Sequence, residues 1–305
     1  MILFIAVFLL ALSIHYFTLL SRPWLPYCVP ILGHSFAMLI SPYNLVKDIR
    51  LTSVPYTLTS IHADYLSNSV RLRLPGLNPC LVQGTRNIRQ LFKLTLQSNP
   101  GHAKLFIAGR VFGMPISAAR TFLEDKSGYS ITPLPHSNVE ERNRICYRDR
   151  SILHSILQGS ESEMLVERFI TSFEARLRAL PIDEHWIEFP DLFEFFTTHV
   201  TPASIEALCG PALATTIDPD FVRDFWKFDH WVPMMAKRAP TWLFPEAYRI
   251  RDHLVDSIKR WRLWSGQTRD NVGGSRSMIQ KNELLDVDGW DVHAIAASDL
   301  GLIWA

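Results

Sequence analysis

The stretch Val292-His-Ala-Ile-Ala-Ala-Ser-Asp-Leu-Gly-Leu-Ile-Trp-Ala305 decides how the rest of the chain is read. It contains no proline, and Asp299 is its one carboxylate. Alanine and leucine favour helix. Ile295, Ile303 and Trp304 are large and apolar, whereas Ala294, Ala296, Ala297 and Gly301 are small. A helix apolar on nearly every side belongs inside a large protein or a membrane. Asp288-Gly-Trp-Asp291 supplies an N-terminal cap. No glycine, basic last turn or proline marks a stop. The sequence therefore predicts a core helix that runs on past Ala305, in a truncated chain.

Working outward, 305 residues suffice for one large domain or two ordinary ones. A hydrophobic share of 48% can bury a substantial core. With a formal net charge of +1 and basic residues interleaved with acidic ones, no patch for nucleic acid emerges. Cys28, Cys80, Cys146 and Cys209 show no C-x-x-C spacing, so neither a zinc ribbon nor a redox pair is indicated. Scattered cysteines and the lack of an Asn-x-Ser/Thr sequon fit a body in the reducing cytosol.

At the other end, Ile2 to Leu20 is almost unbroken apolar sequence. At ~1.5 Å per residue it spans roughly 28 Å, close to the hydrocarbon core of a bilayer. A cleaved signal peptide is the rival reading. The long apolar run, the missing basic n-region and the missing small-x-small site favour an uncleaved anchor over residues 1–21. Arg22, Lys47 and Arg50 follow the span and no Lys or Arg precedes it, which places the body on the cytosolic side. Residues 22–34 carry Pro23, Pro26 and Pro30 and form a stiff extended hinge.

Ser69 to Gln83 alternates apolar and polar residues around Pro75-Gly76, which predicts a hairpin. Asn87 to Leu94 turns helical. From Pro100 to Pro135 the pattern is irregular, as in a lid or pocket wall. Helices are then predicted over Val139–Leu157, Glu161–Leu180, Phe189–Leu208, Asp220–Val232, Pro245–Trp264 and Asp291 onward. Pro202 should kink the third of these, and Pro233 should end the fourth. The fold class is mainly α with a small N-terminal β-sheet.

Local chemistry yields no active site. The eleven histidines include no H-E-x-x-H pair. Gly109 and Gly113 are followed by no P-loop lysine. Asp286-Val-Asp288-Gly-Trp-Asp291 lacks the glutamate that closes a calcium loop, so helix capping explains it better. No G-x-S-x-G elbow is present.

The order of elements says more. An anchor leads to a hinge closing on Pro30-Ile-Leu-Gly-His34, then to Val70-Arg-Leu-Arg-Leu74 and a helix with Leu91-Phe92. Phe225-Trp-Lys-Phe-Asp229, Ala239-Pro-Thr-Trp-Leu-Phe-Pro-Glu-Ala247 and Ala297-Ser-Asp-Leu-Gly-Leu-Ile-Trp-Ala305 follow. Together these resemble the front part of a microsomal cytochrome P-450, a haem-thiolate monooxygenase. The last stretch is similar to the branch of sterol hydroxylases, prostacyclin synthase and fungal relatives. The resemblance implies an incomplete domain over residues 35–305 that ends within the haem-crossing helix. It implies haem as cofactor, an apolar substrate, a reductase partner and a single-pass location in the endoplasmic reticulum membrane. It implies that Phe106 to Pro115 and the stretch Phe225 to Trp231 line the pocket. Arg150 and His154, one turn apart, are the candidates for contacting a haem propionate.

The sequence departs from the family in the chemistry. The family holds iron through a thiolate in Phe-x-x-Gly-x-x-x-Cys-x-Gly, and no cysteine here has that context. Cys209 precedes Gly210, but Ile205 stands where the glycine belongs. Glu141-x-x-Arg144 and Glu246-x-x-Arg249 match the family's Glu-x-x-Arg in letters but precede the haem-crossing helix. Two readings stand: a monooxygenase chain inactive by itself, and a membrane-anchored non-catalytic protein that binds a lipid-like ligand or a partner.

Overall fold

The computed structural model describes residues 70–71, 80–82, 84–95, 101–181, 188–189, 191–237, 240–267, 274–275, 278 and 287–305. The expected anchor and hinge lie outside the described residues. Among the described residues no helix is long and apolar enough to cross a membrane. The chain divides into two units, Met1–Gln97 and Ser98–Ala305.

In the first unit, β1 (Val70–Arg71) pairs antiparallel with β2 (Cys80–Leu81), in the register Val70 opposite Leu81. The predicted hairpin is thus present as a short ladder. Helix α1 (Thr85–Thr95) follows, with Ile88, Leu91 and Phe92 exposed.

The second unit is helical. Its first arm is α2 (Gly101–Phe106), which runs straight into a π turn, Ile107–Val111. Gly113 closes that turn at φ +78°, a conformation that favours glycine. Two short helices follow, α3 (Ile116–Ala119) and α4 (Thr121–Glu124). The segment expected to be irregular is therefore a series of short helical turns as far as Glu124 and is irregular from Asp125 to Pro135.

Helix α5 (Ile145–Leu157) starts six residues later than the periodicity predicts. Its start is fixed from a distance. Asp125 accepts the Cys146 amide at 2.7 Å and the Ser127 hydroxyl at 2.6 Å. Arg144 is buried, donating from Nε to Ser127 at 3.2 Å and from Nη1 to the Ile131 carbonyl at 2.9 Å. Seating that guanidinium breaks the helix at Arg144 (φ −77°, ψ 61°).

Helix α6 (Gly159–Arg178) packs on α5 and on α8 (Thr201–Cys209). Between them α7 (Leu192–Phe195) passes through a π turn, Phe196–Val200, directly into α8. Pro202 sits in the first turn of α8, so the expected disturbance takes the form of one widened turn just before the proline. The widened turn is what accommodates the proline ring and its missing amide in a helix that continues through it.

The predicted break at Pro233 is corrected: α9 (Phe221–Ala236) runs through it. The buried side chains Phe221, Phe225, Phe228, Val232 and Met235 recur at helical spacing on the core face and outweigh the one missing amide. Helix α10 (Pro245–Gln267) packs on α9 and on the last helix, α11 (Val292–Trp304). Asp291 caps α11 by accepting the Ala294 amide at 2.8 Å, as the sequence predicts. Ala294, Ala296, Ala297 and Leu300 are fully buried, and Ile303 packs against the core.

Candidate functional site

A cavity of about 210 Å³ opens where α11 meets the α2 arm and α5. Its walls are apolar: Phe112 and Met114 from the arm, Ile152 and Leu153 from α5, and Ala297 and Gly301 from α11. Small residues make the space. A Cβ on Gly301 would stand 3.3 Å from the Phe112 ring, so glycine lets the helix and the ring approach closely. The Phe112 ring centroid is in turn 5.9 Å from Trp304 and 6.3 Å from Phe228.

The arm is held from two sides. Arg251 of α10 donates to the Arg110 carbonyl at 2.8 Å, and Arg110 donates to the Met235 carbonyl of α9 at 3.2 Å. At the start of α11 the Trp290 indole donates to the Ala118 carbonyl at 3.2 Å and to the Thr121 hydroxyl at 3.0 Å. The cavity wall is thereby fixed by hydrogen bonds that span most of the second unit.

Two charged side chains reach the cavity, Lys104 and Asp149, 3.5 Å apart. The Lys104 ammonium lies 5.1 Å from the ring centroids of both Phe122 and Tyr129. Beneath this pair Cys146 is buried, and burial above all pushes its thiol up to about 11, with Lys104 opposing and Asp125 reinforcing the shift. Burial first, and then the neighbouring Cys146, also raise the Tyr129 phenol above its ordinary value. Both groups are neutral at ordinary pH.

Arg150 and His154 lie on the exposed face of α5, with Arg150 donating to His154 at 3.4 Å. Neither lines the cavity, whose α5 wall is Asp149, Ile152 and Leu153. The expectation for residues 106–115 agrees with the lining, which includes Ile107, Ala108, Phe112 and Met114. The expectation for residues 225–231 does not: Phe225 and Phe228 are core residues and no residue of that stretch lines the cavity. Lys104 and Asp149 were not foreseen, since each is an ordinary charge in an ordinary helix until the fold brings them together.

Among the described residues no group of three or more His, Cys, Asp or Glu side chains is arranged to hold a metal ion. Haem held by a cysteine thiolate makes a specific demand that the two described cysteines do not meet. Cys146 is kept as a buried neutral thiol, and Cys209 is fully buried beside the Gly274 backbone. Neither lines the cavity. The cavity is lined largely by apolar side chains, and none of its described lining residues is a cysteine or histidine.

No protein-family model matches the chain, and no solved structure does. Curated relatives do match. The chain is 28% identical over 299 residues to the cytochrome P450 monooxygenase fsoE of Humicola fuscoatra, covering 93% of this chain and 47% of that protein. It is 30% identical over 303 residues to the cytochrome P450 monooxygenase efuG of Hormonema carpetanum, covering 93% and 48%. It is 25% identical over 250 residues to the cytochrome P450 monooxygenase calL of Penicillium decumbens, covering 79% and 45%. The chain thus spans about half the length of the curated relatives it matches. Over most of its length the chain is thus similar to the N-terminal part of cytochrome P450 monooxygenases, which supports its membership of that family.

Proposed function

We propose that this chain is the substrate-side part of a haem-dependent monooxygenase that inserts one oxygen atom from O2 into an apolar, sterol- or lipid-like substrate, with electrons from a reductase. The observation that carries this reading is the apolar cavity walled by Ala297 and Gly301 of α11 and by Phe112 of the α2 arm. The iron ligand is assigned to the half of the relatives that the match does not cover. Arg150 and His154, exposed on the helix that walls the cavity, are the proposed partners of the haem propionates. The 305 residues by themselves are proposed to be inactive, because no cysteine stands in the family's ligand loop. Ile2 to Leu20 is proposed to anchor the chain in the endoplasmic reticulum membrane with the body in the cytosol.

The decisive test is the coding sequence downstream of Ala305. It is expected to encode Glu-x-x-Arg and then Phe-x-x-Gly-x-x-x-Cys-x-Gly, directly or behind an intron or frameshift. The 305-residue chain, supplied with haem and a reductase, is expected to give no thiolate-type carbon monoxide spectrum. Such a spectrum would refute the inactive reading. Absence of both motifs from all downstream frames would favour a membrane-anchored protein that binds an apolar ligand without transforming it.

A further inference from the structure

The cavity is apolar except at Lys104, Asp149 and Ser298, and the geometry of the charged pair defines what its polar end can hold. Their separation of 3.5 Å is longer than the ~2.7–2.9 Å of a tight ammonium–carboxylate hydrogen bond. Each side chain retains about a quarter of its exposure (27% and 29%), so neither is sealed by the other. The ammonium is steadied over the Phe122 and Tyr129 rings, which hold a cation while leaving its N–H donors available. The neighbouring Cys146 and Tyr129 are neutral and bring no net charge.

A lone lysine would select an anion, and a lone aspartate a cation. A loose pair cancels both preferences, since either charged guest meets one like charge at close range. What it suits is a neutral group that accepts from an ammonium and donates to a carboxylate at once, and a hydroxyl has that inventory. We propose that Lys104 and Asp149 are specificity-determining residues that bind the hydroxyl end of an otherwise apolar substrate, the Lys104 ammonium donating to the hydroxyl oxygen and the hydroxyl donating to Asp149. The volume of about 210 Å³ lies below the usual ~300–1,000 Å³ of small-molecule pockets, so it holds the hydroxyl-bearing end of a larger molecule or the whole of a small one. This inference rests on the reading of the cavity as the substrate site.

The test uses three photoreactive probes with one alkyl diazirine chain, ending in a hydroxyl, a carboxylate or an ammonium group. Each is titrated against the full chain in lipid nanodiscs, and labelling of the cavity peptides is read by mass spectrometry. The hydroxyl probe should half-saturate at roughly tenfold lower concentration than either charged probe, the scale of hydrogen bonds to charged groups. Lys104→Met should switch the preference to the ammonium probe and Asp149→Asn to the carboxylate probe. The exchanged pair, Lys104→Asp with Asp149→Lys, should restore the hydroxyl preference. A purely structural ion pair would not reorder the probes in this way. An unchanged order in all variants, with labelling still abolished by Ala297→Trp, would overturn the hydroxyl assignment and leave the cavity as a ligand site. Labelling indifferent to Ala297→Trp would overturn the cavity as the substrate site and the hydroxyl assignment with it.

Discussion

Removing one member of the Arg262–Asp299 pair should destabilise the second unit more than removing both. Asp299 is the lone carboxylate of α11, fully buried, and it accepts from Nε of Arg262 on α10, whose side chain is 2% exposed. Arg262 also donates to the Met278 carbonyl at 3.0 Å. Asp299→Ala leaves a buried guanidinium without its carboxylate, a situation that costs about 3–5 kcal/mol. Replacing the two together, Arg262→Met with Asp299→Leu, removes both buried charges and restores apolar volume, so its net cost should fall within about 1 kcal/mol of zero. Urea unfolding followed by tryptophan fluorescence reads this directly. With a slope near ~3 kcal/mol per molar, the single variant should lower the midpoint by roughly 1 M or more, and the double variant should recover most of that loss. A double variant no more stable than Asp299→Ala would refute the reasoning, and so would a single variant with an unchanged midpoint.

Three further outcomes follow from other parts of the molecule. The Cys146 thiol is raised in the folded state, so folding favours its protonated form; that contribution is complete below about pH 9 and is lost as pH rises toward about 11. Unfolding midpoints measured between pH 8 and 11 should therefore fall, and Cys146→Ala should flatten part of that fall; an unaltered slope would count against the buried thiol. Gly113→Ala should cost about 2 kcal/mol, because φ is +78° and the new Cβ would stand 2.9 Å from Nε of Arg251, the side chain that holds the arm; a neutral result in the same urea assay would show that the arm relaxes freely. After an alkaline carbonate wash the tagged chain should stay in the membrane pellet, and deletion of residues 1–21 should release it; the intact chain in the supernatant would sink the anchor.

The long helices were legible because their core faces repeat at helical spacing, as Phe221, Phe225, Phe228 and Val232 do in α9. The cap of α11 was legible because Asp291 acts on an amide three residues away. The start of α5 was not, because its cap, Asp125, lies 21 residues earlier. Pro233 misled because local stereochemistry was weighed without the packing of α9 on α10. For the site, the small residues of α11 and several of the arm residues 106–115 line the cavity, whereas the stretch 225–231, expected beside them from the family resemblance, does not. The Lys104–Asp149 pair joins two helices whose relative placement no local pattern encodes.

The Trp290 indole has a consequence for biosynthesis. Its partner Thr121 precedes it by 169 residues. At ~5–20 residues per second, the corner formed by α3 and α4 waits roughly 8–34 s for the side chain that ties it down. Throughout that interval Phe122, which ends up with its ring centroid 5.9 Å from Trp290, lacks this cover. The nascent chain thus carries a time-limited apolar patch, open to chaperones until α11 emerges, and synonymous codons that slow translation between α10 and α11 would lengthen the exposure without changing a residue.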